Sequence, residues 1–148
     1  MIEKLAYVAG LIDGEGCFGM YYSKRLNRHY LTVDIYNSSL ELLEWLSDNF
    51  PGDHREIKAP SKKIHINWKP QYIWRSNNND TLSFLKQVLP YLIVKKQQCL
   101  LAIQFRETFV RRECPVSQKT LDLRRSLYGQ MKILNQRGVT VPPCLPSA

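Results

Sequence analysis

The stretch Val8-Ala9-Gly10-Leu11-Ile12-Asp13-Gly14-Glu15-Gly16 joins an apolar, small-residue helix to a strand-like run and sets two carboxylates at the helix's carboxyl end. That end carries roughly half a negative charge, so Asp13 and Glu15 each cost on the order of 0.3–1 kcal/mol there unless a cation answers them. A divalent metal is the simplest such cation, because carboxylate and backbone oxygens are the ligands Mg²⁺ prefers. On this helix, expected over about residues 2–14, Ala6, Gly10 and Gly14 recur every four residues and line one face. Glycine in a helix interior costs about 1 kcal/mol against alanine. A second helix approaching at close backbone distance accounts for that cost. Leu5, Val8, Leu11 and Ile12 supply the apolar surround. An ordinary buried N-terminal helix ending in a glycine-rich turn has the same apolar content.

Outward from this stretch, Cys17 to Ser23 reads as a strand, Arg25-Leu26-Asn27-Arg28 as a polar turn, and Tyr30 to Tyr36 as the returning strand. The return alternates: Leu31, Val33 and Ile35 face one way, Tyr30, Thr32, Asp34 and Tyr36 the other. By the same logic Tyr21 and Ser23 join the polar face, and Phe18, Met20 and Tyr22 are buried. Ser38 and Glu41 form a capping box for a helix that Pro51-Gly52 stops. Strand-like segments follow at residues 55–58, 64–68 and 71–75. Asn79 or Asp80 caps a further helix broken at Pro90. Longer helices are expected over about 94–112 and 117–137, the last ended by Gly138. The order predicts an α+β fold in which helices cover one face of an antiparallel sheet. Residues 1–138 form one domain, and 139–148, with three prolines, an extended or disordered tail.

The 148 residues suffice for one core without metal or disulfide staples. Lys and Arg number 21 against 13 Asp and Glu, a net charge of +8 that favours a polyanionic partner. Cys17, Cys99, Cys114 and Cys144 are scattered, without the C-x-x-C pairing of a zinc site, and read as reduced thiols. No apolar run approaches the roughly 20 residues that cross a bilayer. The expectation is a soluble intracellular protein, cytoplasmic in a prokaryote or within an organelle that encodes it, with no membrane and no organic cofactor.

Val8 to Gly16 resembles the signature of the LAGLIDADG homing endonucleases, matching at Ala9, Gly10, Leu11, Ile12, Asp13 and Gly16 and departing at Val8, Gly14 and Glu15. The following strands, helix and basic positions fall in that family's order, so the resemblance covers roughly residues 2–112. It implies a curved, saddle-like sheet over the DNA major groove. The signature helix would form the interface between two such units. A chain with one motif would act as a homodimer on a pseudo-palindromic double-stranded DNA site, with Ala6, Ala9, Gly10, Asp13 and Gly14 at the dimer interface. The implied reaction is divalent-metal hydrolysis of both strands to leave short 3′ overhangs, in the service of intron mobility. Mg²⁺ is the implied cofactor, with Mn²⁺ substituting and Ca²⁺ binding without cleavage.

Residue by residue, Glu15 matches the motif's second acid, the metal ligand, and Gly14 offers its carbonyl. Asp13 matches the first acid, which either binds metal or accepts hydrogen bonds from backbone amides in the turn that follows. Asn37 stands where the family carries a polar residue that positions water, and it equally suits a turn. Lys95 matches the basic residue preceding the family's long helix, with Lys96 beside it. For DNA, Tyr21, Ser23, Tyr30, Thr32, Asp34 and Tyr36 would present the sheet's open face, continued by Lys69, Tyr72, Trp74 and Arg75. Arg75 is the best placed of these for guanine. Lys24, Arg25, Arg28, Lys62 and Lys63 would hold phosphate. The competing readings are a non-cleaving RNA-splicing maturase or DNA-binding regulator on the same fold, and a small ribosome-associated or other RNA-binding protein. Glu15 together with Lys95 favours cleavage, because a pure binder has no need for acids at a crowded helix end, and the last reading explains the charge and aromatics but not the glycine-rich helix with its acids.

Overall fold

The computed structural model describes residues 1–58, 69–109 and 115–136. Helix α1 (Ile2–Glu15) runs into β1 (Gly16–Ser23) and its return β2 (Arg28–Asn37), then α2 (Leu40–Asn49), β3 (Asp53–Ile57) and β4 (Gln71–Ser76). Three helices follow, α3 (Thr81–Val88), α4 (Lys96–Glu107) and α5 (Gln118–Leu134), with a 3-10 turn at Leu89–Tyr91 between the first two. The strands form one antiparallel sheet in the order β1-β2-β4-β3. This is the α+β arrangement expected. The expected segment 64–68, residues 110–112 of the 94–112 helix, Gly138 and the tail lie outside the described residues, as do Cys114 and Cys144.

Strand pairing fixes the faces, since residues directly opposite on neighbouring strands point the same way. Phe18 lies opposite Val33, and Ile35 opposite Trp74, so Phe18, Leu31, Val33, Ile35 and Trp74 make one face. That face packs in a single core with Val8 and Ile12 of α1, Leu43 and Leu46 of α2, Phe84 and Leu85 of α3, Phe105 of α4 and Leu127 and Met131 of α5. Each such side chain taken fully from water contributes about 1.5–3 kcal/mol. Cys99 belongs to this core, where burial pushes its thiol up to about 12. It is apolar filling rather than a nucleophile.

Three local expectations need correction. Tyr22 lies on the core side, its ring against His29, but is 44% exposed, and its hydroxyl donates to Asn27 in the hairpin turn. Ser39, not Ser38, caps α2: its hydroxyl accepts from the Leu42 N–H, because the Asn37 side chain already holds the Ser39 N–H and delays the helix start by one residue. Asp80 occupies the α3 cap position without a side-chain bond, and Asn78 instead accepts from the Asp80 N–H and the Thr81 hydroxyl.

Candidate active site

Helix α1 ends where α4 begins. The segment Ile93–Lys95 approaches the α1 carboxyl end, and its backbone N–H groups, ahead of the first turn of α4, converge on Asp13. Ile93 and Val94 donate to Oδ2 at 2.8 and 3.2 Å, and Lys95 donates to Oδ1 at 2.8 Å. The Lys95 ammonium returns the contact, donating to the Ile12 and Asp13 carbonyl oxygens at 2.8 Å each. An acid misplaced on α1 is thus well placed for α4, whose amino end favours anions, while a cation sits on the free carbonyls of α1. Burial raises the Asp13 carboxyl, but the three N–H groups and the Lys95 charge outweigh it and hold the group below its ordinary value. Burial in turn lowers Lys95, against the pull of Asp13 and Cys17.

Lys95 and backbone amides therefore stand where a metal was expected to answer Asp13. The amides also come from Ile93–Lys95 rather than from the turn after the helix. Lys95 caps the end of α1, whereas Lys96 is exposed as the first residue of α4.

On the other side of this helix end, Gly14 and Glu15 are exposed. Asn37 closes β2, and its carbonyl oxygen accepts from the Ser39 N–H at 2.8 Å, which turns its amide toward α1. The Asn37 Nδ2 then donates to Glu15 Oε2 at 2.6 Å. Glu15 is oriented by one neutral donor and remains open to solvent. Gly16 makes the sharp exit from helix to strand feasible: a Cβ there would lie 2.6 Å from the Ile12 carbonyl.

Ala6, Gly10 and Gly14 are exposed along α1 as expected, and a Cβ added at Gly10 or Gly14 would meet nothing within 4 Å. Ala9 does not share that face. It is fully buried in the core, on the side of the helix that carries Val8 and Ile12. Asp13 is likewise engaged by its own chain.

Away from the core, the outer sheet face carries Tyr21 and Tyr30, which stack with ring centroids 5.3 Å apart, together with Ser23, Tyr36 and Arg75. Gly19 lets Tyr21 lie flat, since a Cβ there would meet its ring at 2.5 Å. Thr32 and Asp34 share this face but are 1% exposed beneath their neighbours. Lys24, Arg25 and Arg28 are exposed around the hairpin turn, and Lys69 just before β4. Lys62 and Lys63 lie outside the described residues.

Two expected contacts fall on the wrong face. Trp74 opposes Ile35 and is wholly buried against Phe84, and Tyr72 opposes Asn37 and packs on the core. Their strand carries Gln71, Ile73 and Arg75 outward instead. Arg55, opposite Ile73, and Gln71 are exposed on this outer face and were missed. The β3–β4 register is the signal that finds them, and the alternation of β4 alone was too short to set it.

The archaeal intron-encoded homing endonuclease I-Vdi141I complexed with DNA superposes with a TM-score of 0.73 at 20% identity, over 93% of this chain and 87% of that one. The fold is that of the LAGLIDADG homing endonucleases. The homing endonuclease I-CvuI in complex with its target in the presence of calcium gives 0.69 at 20% identity, over 95% and 87% of the two chains. The LAGLIDADG meganuclease I-AabMI bound to uncleaved DNA gives 0.64 at 22% identity, over 84% of this chain and 43% of that one. No family model and no curated protein matches the sequence. Within this LAGLIDADG fold, no helix among the described residues is long and apolar enough to cross a membrane.

Proposed function

We propose that the chain is a divalent-metal-dependent, site-specific double-strand DNA endonuclease that acts as a homodimer at a pseudo-palindromic target, leaves short 3′ overhangs and serves intron mobility. One observation carries this reading. The exposed Glu15 carboxylate, aimed by Asn37, ends the small-residue face of Ala6, Gly10 and Gly14, the surface on which a second α1 fits. Packing two such faces together brings two copies of Glu15 to the dimer axis. The extent of the match with I-AabMI agrees with this, since one chain corresponds to about half of that longer one.

The oxygen donors suit a hard cation. Glu15 accepts one hydrogen bond among the described residues and keeps further lone pairs, and the Gly14 carbonyl lies next to it in the chain. Mg²⁺ is commonly held by one or two carboxylates with water, and a second copy of Glu15 at the dimer axis would supply the second carboxylate. Glu15 and Gly14 would hold Mg²⁺, which supplies the Lewis acidity and charge neutralisation that phosphodiester hydrolysis needs. Asn37 orients Glu15, and Lys95 holds the helix end that presents it. The outer sheet face, with its aromatic hydroxyls and flanking cations, supplies the DNA surface.

The test is exposure of a randomised double-stranded DNA library to the native chain with Mg²⁺, Ca²⁺ or chelator, followed by sequencing of new ends. Mg²⁺-dependent ends at a pseudo-palindromic site establish the reading. Sequence-selective retention without new ends assigns the chain to a non-cleaving binder, a maturase or regulator.

A further inference from the structure

Asp34 lies midway across the outer sheet face, opposite Cys17 of β1 and Arg75 of β4. Its side chain is 1% exposed, against 30% for Arg75. Arg75 Nε donates to Oδ1 at 2.8 Å and Nη2 to Oδ2 at 2.7 Å, a bidentate pair. The pair raises the already basic guanidinium, and burial together with Asp34 pushes the phenols of Tyr21 and Tyr36 up. So close to these rings, Asp34 is enclosed by protein and does not touch DNA itself.

A guanidinium has five N–H groups in a rigid plane. Asp34 takes the edge formed by Nε and Nη2. The distal edge, one N–H of Nη1 and the second of Nη2, stays unpaired by Asp34 and belongs to the more exposed partner. Two parallel donors of that kind match the O6 and N7 acceptors of guanine in the major groove, and no other base offers two acceptors there. Phosphate is the weaker match, because Asp34 cancels the charge that would attract it.

We propose that Asp34 is a positioning residue that locks Arg75 so that its distal edge reads one guanine in each half-site of the DNA target. This rests on the endonuclease reading above. It changes the role of Asp34 from a contact to a brace, and it fixes which edge of Arg75 faces the guanine.

The experiment is selection of bound duplexes from a randomised library in Ca²⁺ by the native chain, Asp34→Asn and Arg75→Lys, with circular dichroism melts to establish folding. The native chain should enrich guanine at one position per half-site. Asp34→Asn should lower that enrichment about tenfold or more, the discrimination one bidentate contact carries, with other positions unchanged. The freed arginine should also steepen the dependence of log affinity on log salt by about one unit. Arg75→Lys keeps a cation for Asp34 but lacks the fork, and should lose the same guanine even if Asp34→Asn does not fold. A consensus shared unchanged by the native chain and Arg75→Lys overturns the inference alone. A native chain that enriches no sequence overturns the endonuclease reading, and the inference with it.

Discussion

The two sides of the α1 carboxyl end hold acids two residues apart in opposite circumstances. On the inner side, Asp13 accepts three backbone N–H groups and faces Lys95, which caps the same helix. On the outer side, Glu15 has the single side-chain amide of Asn37 and otherwise faces solvent. The inner acid closes the fold, joining α1 to the start of α4. The outer acid retains the lone pairs that the proposed metal ion would use. A helix end that tolerates acid poorly thus carries two, one neutralised within the chain and one left for what binds there.

Breaking the outer side should have the largest effect. Glu15→Gln keeps the shape and removes the charge, and cleavage should fall by about a thousandfold or more, the scale on which loss of a group that stabilises developing charge is felt. The same variant should unfold in urea at the native midpoint. Breaking the inner side should do the reverse. Asp13→Asn should lower stability by about 1–3 kcal/mol, the range for hydrogen bonds to a charged acceptor, read from urea denaturation.

That second difference should vanish in acid. Burial raises the Asp13 carboxyl and the N–H groups lower it further, so its folded value lies below the ordinary 3.8. Its stabilisation is present above the unfolded value and is lost as pH falls through the folded one. Native and Asp13→Asn midpoints should therefore converge below the ordinary carboxylate range.

Lys95→Met keeps the aliphatic stem and removes the cation, at a cost of about 1 kcal/mol for an uncapped helix end, with cleavage reduced less than in Glu15→Gln. The smallest effect sharpens the contrast most. Gly10→Ala places a methyl in open space within one chain, so the isolated chain should gain about 0.5–1 kcal/mol. Sedimentation should at the same time show a weaker dimer, since the methyl obstructs only a partner helix. A dimer that is unchanged or tighter would remove that face from the interface.

The helix, the hairpin and the polarity of β2 were legible because each announces itself locally, by small residues at four-residue spacing or by strict alternation. Glu15 and Asn37 were singled out by their match to positions of the resembling family, and the structure brings the two side chains into contact. The partners of Asp13 were not legible, because they lie 80 residues on and are backbone amides that any sequence supplies. Trp74 and Tyr72 were misplaced for a related reason. Their strand is six residues long, its aromatic residues suit either face, and only its pairing with β2 and β3 settles the register. Ala9 shows the same limit on a helix: a small residue fits a partner's backbone or a tight core equally well, and here the core has it.

The most direct measurement is cleavage of the duplex selected by the native chain, followed in Mg²⁺ and in chelator for native protein and Glu15→Gln of equal stability and equal DNA affinity. Paired breaks on both strands that require Mg²⁺ and disappear in Glu15→Gln are the predicted result. Equal cleavage by the two proteins, or tight binding by both with no breaks in Mg²⁺, would contradict the assignment of chemistry to the open side of the α1 end.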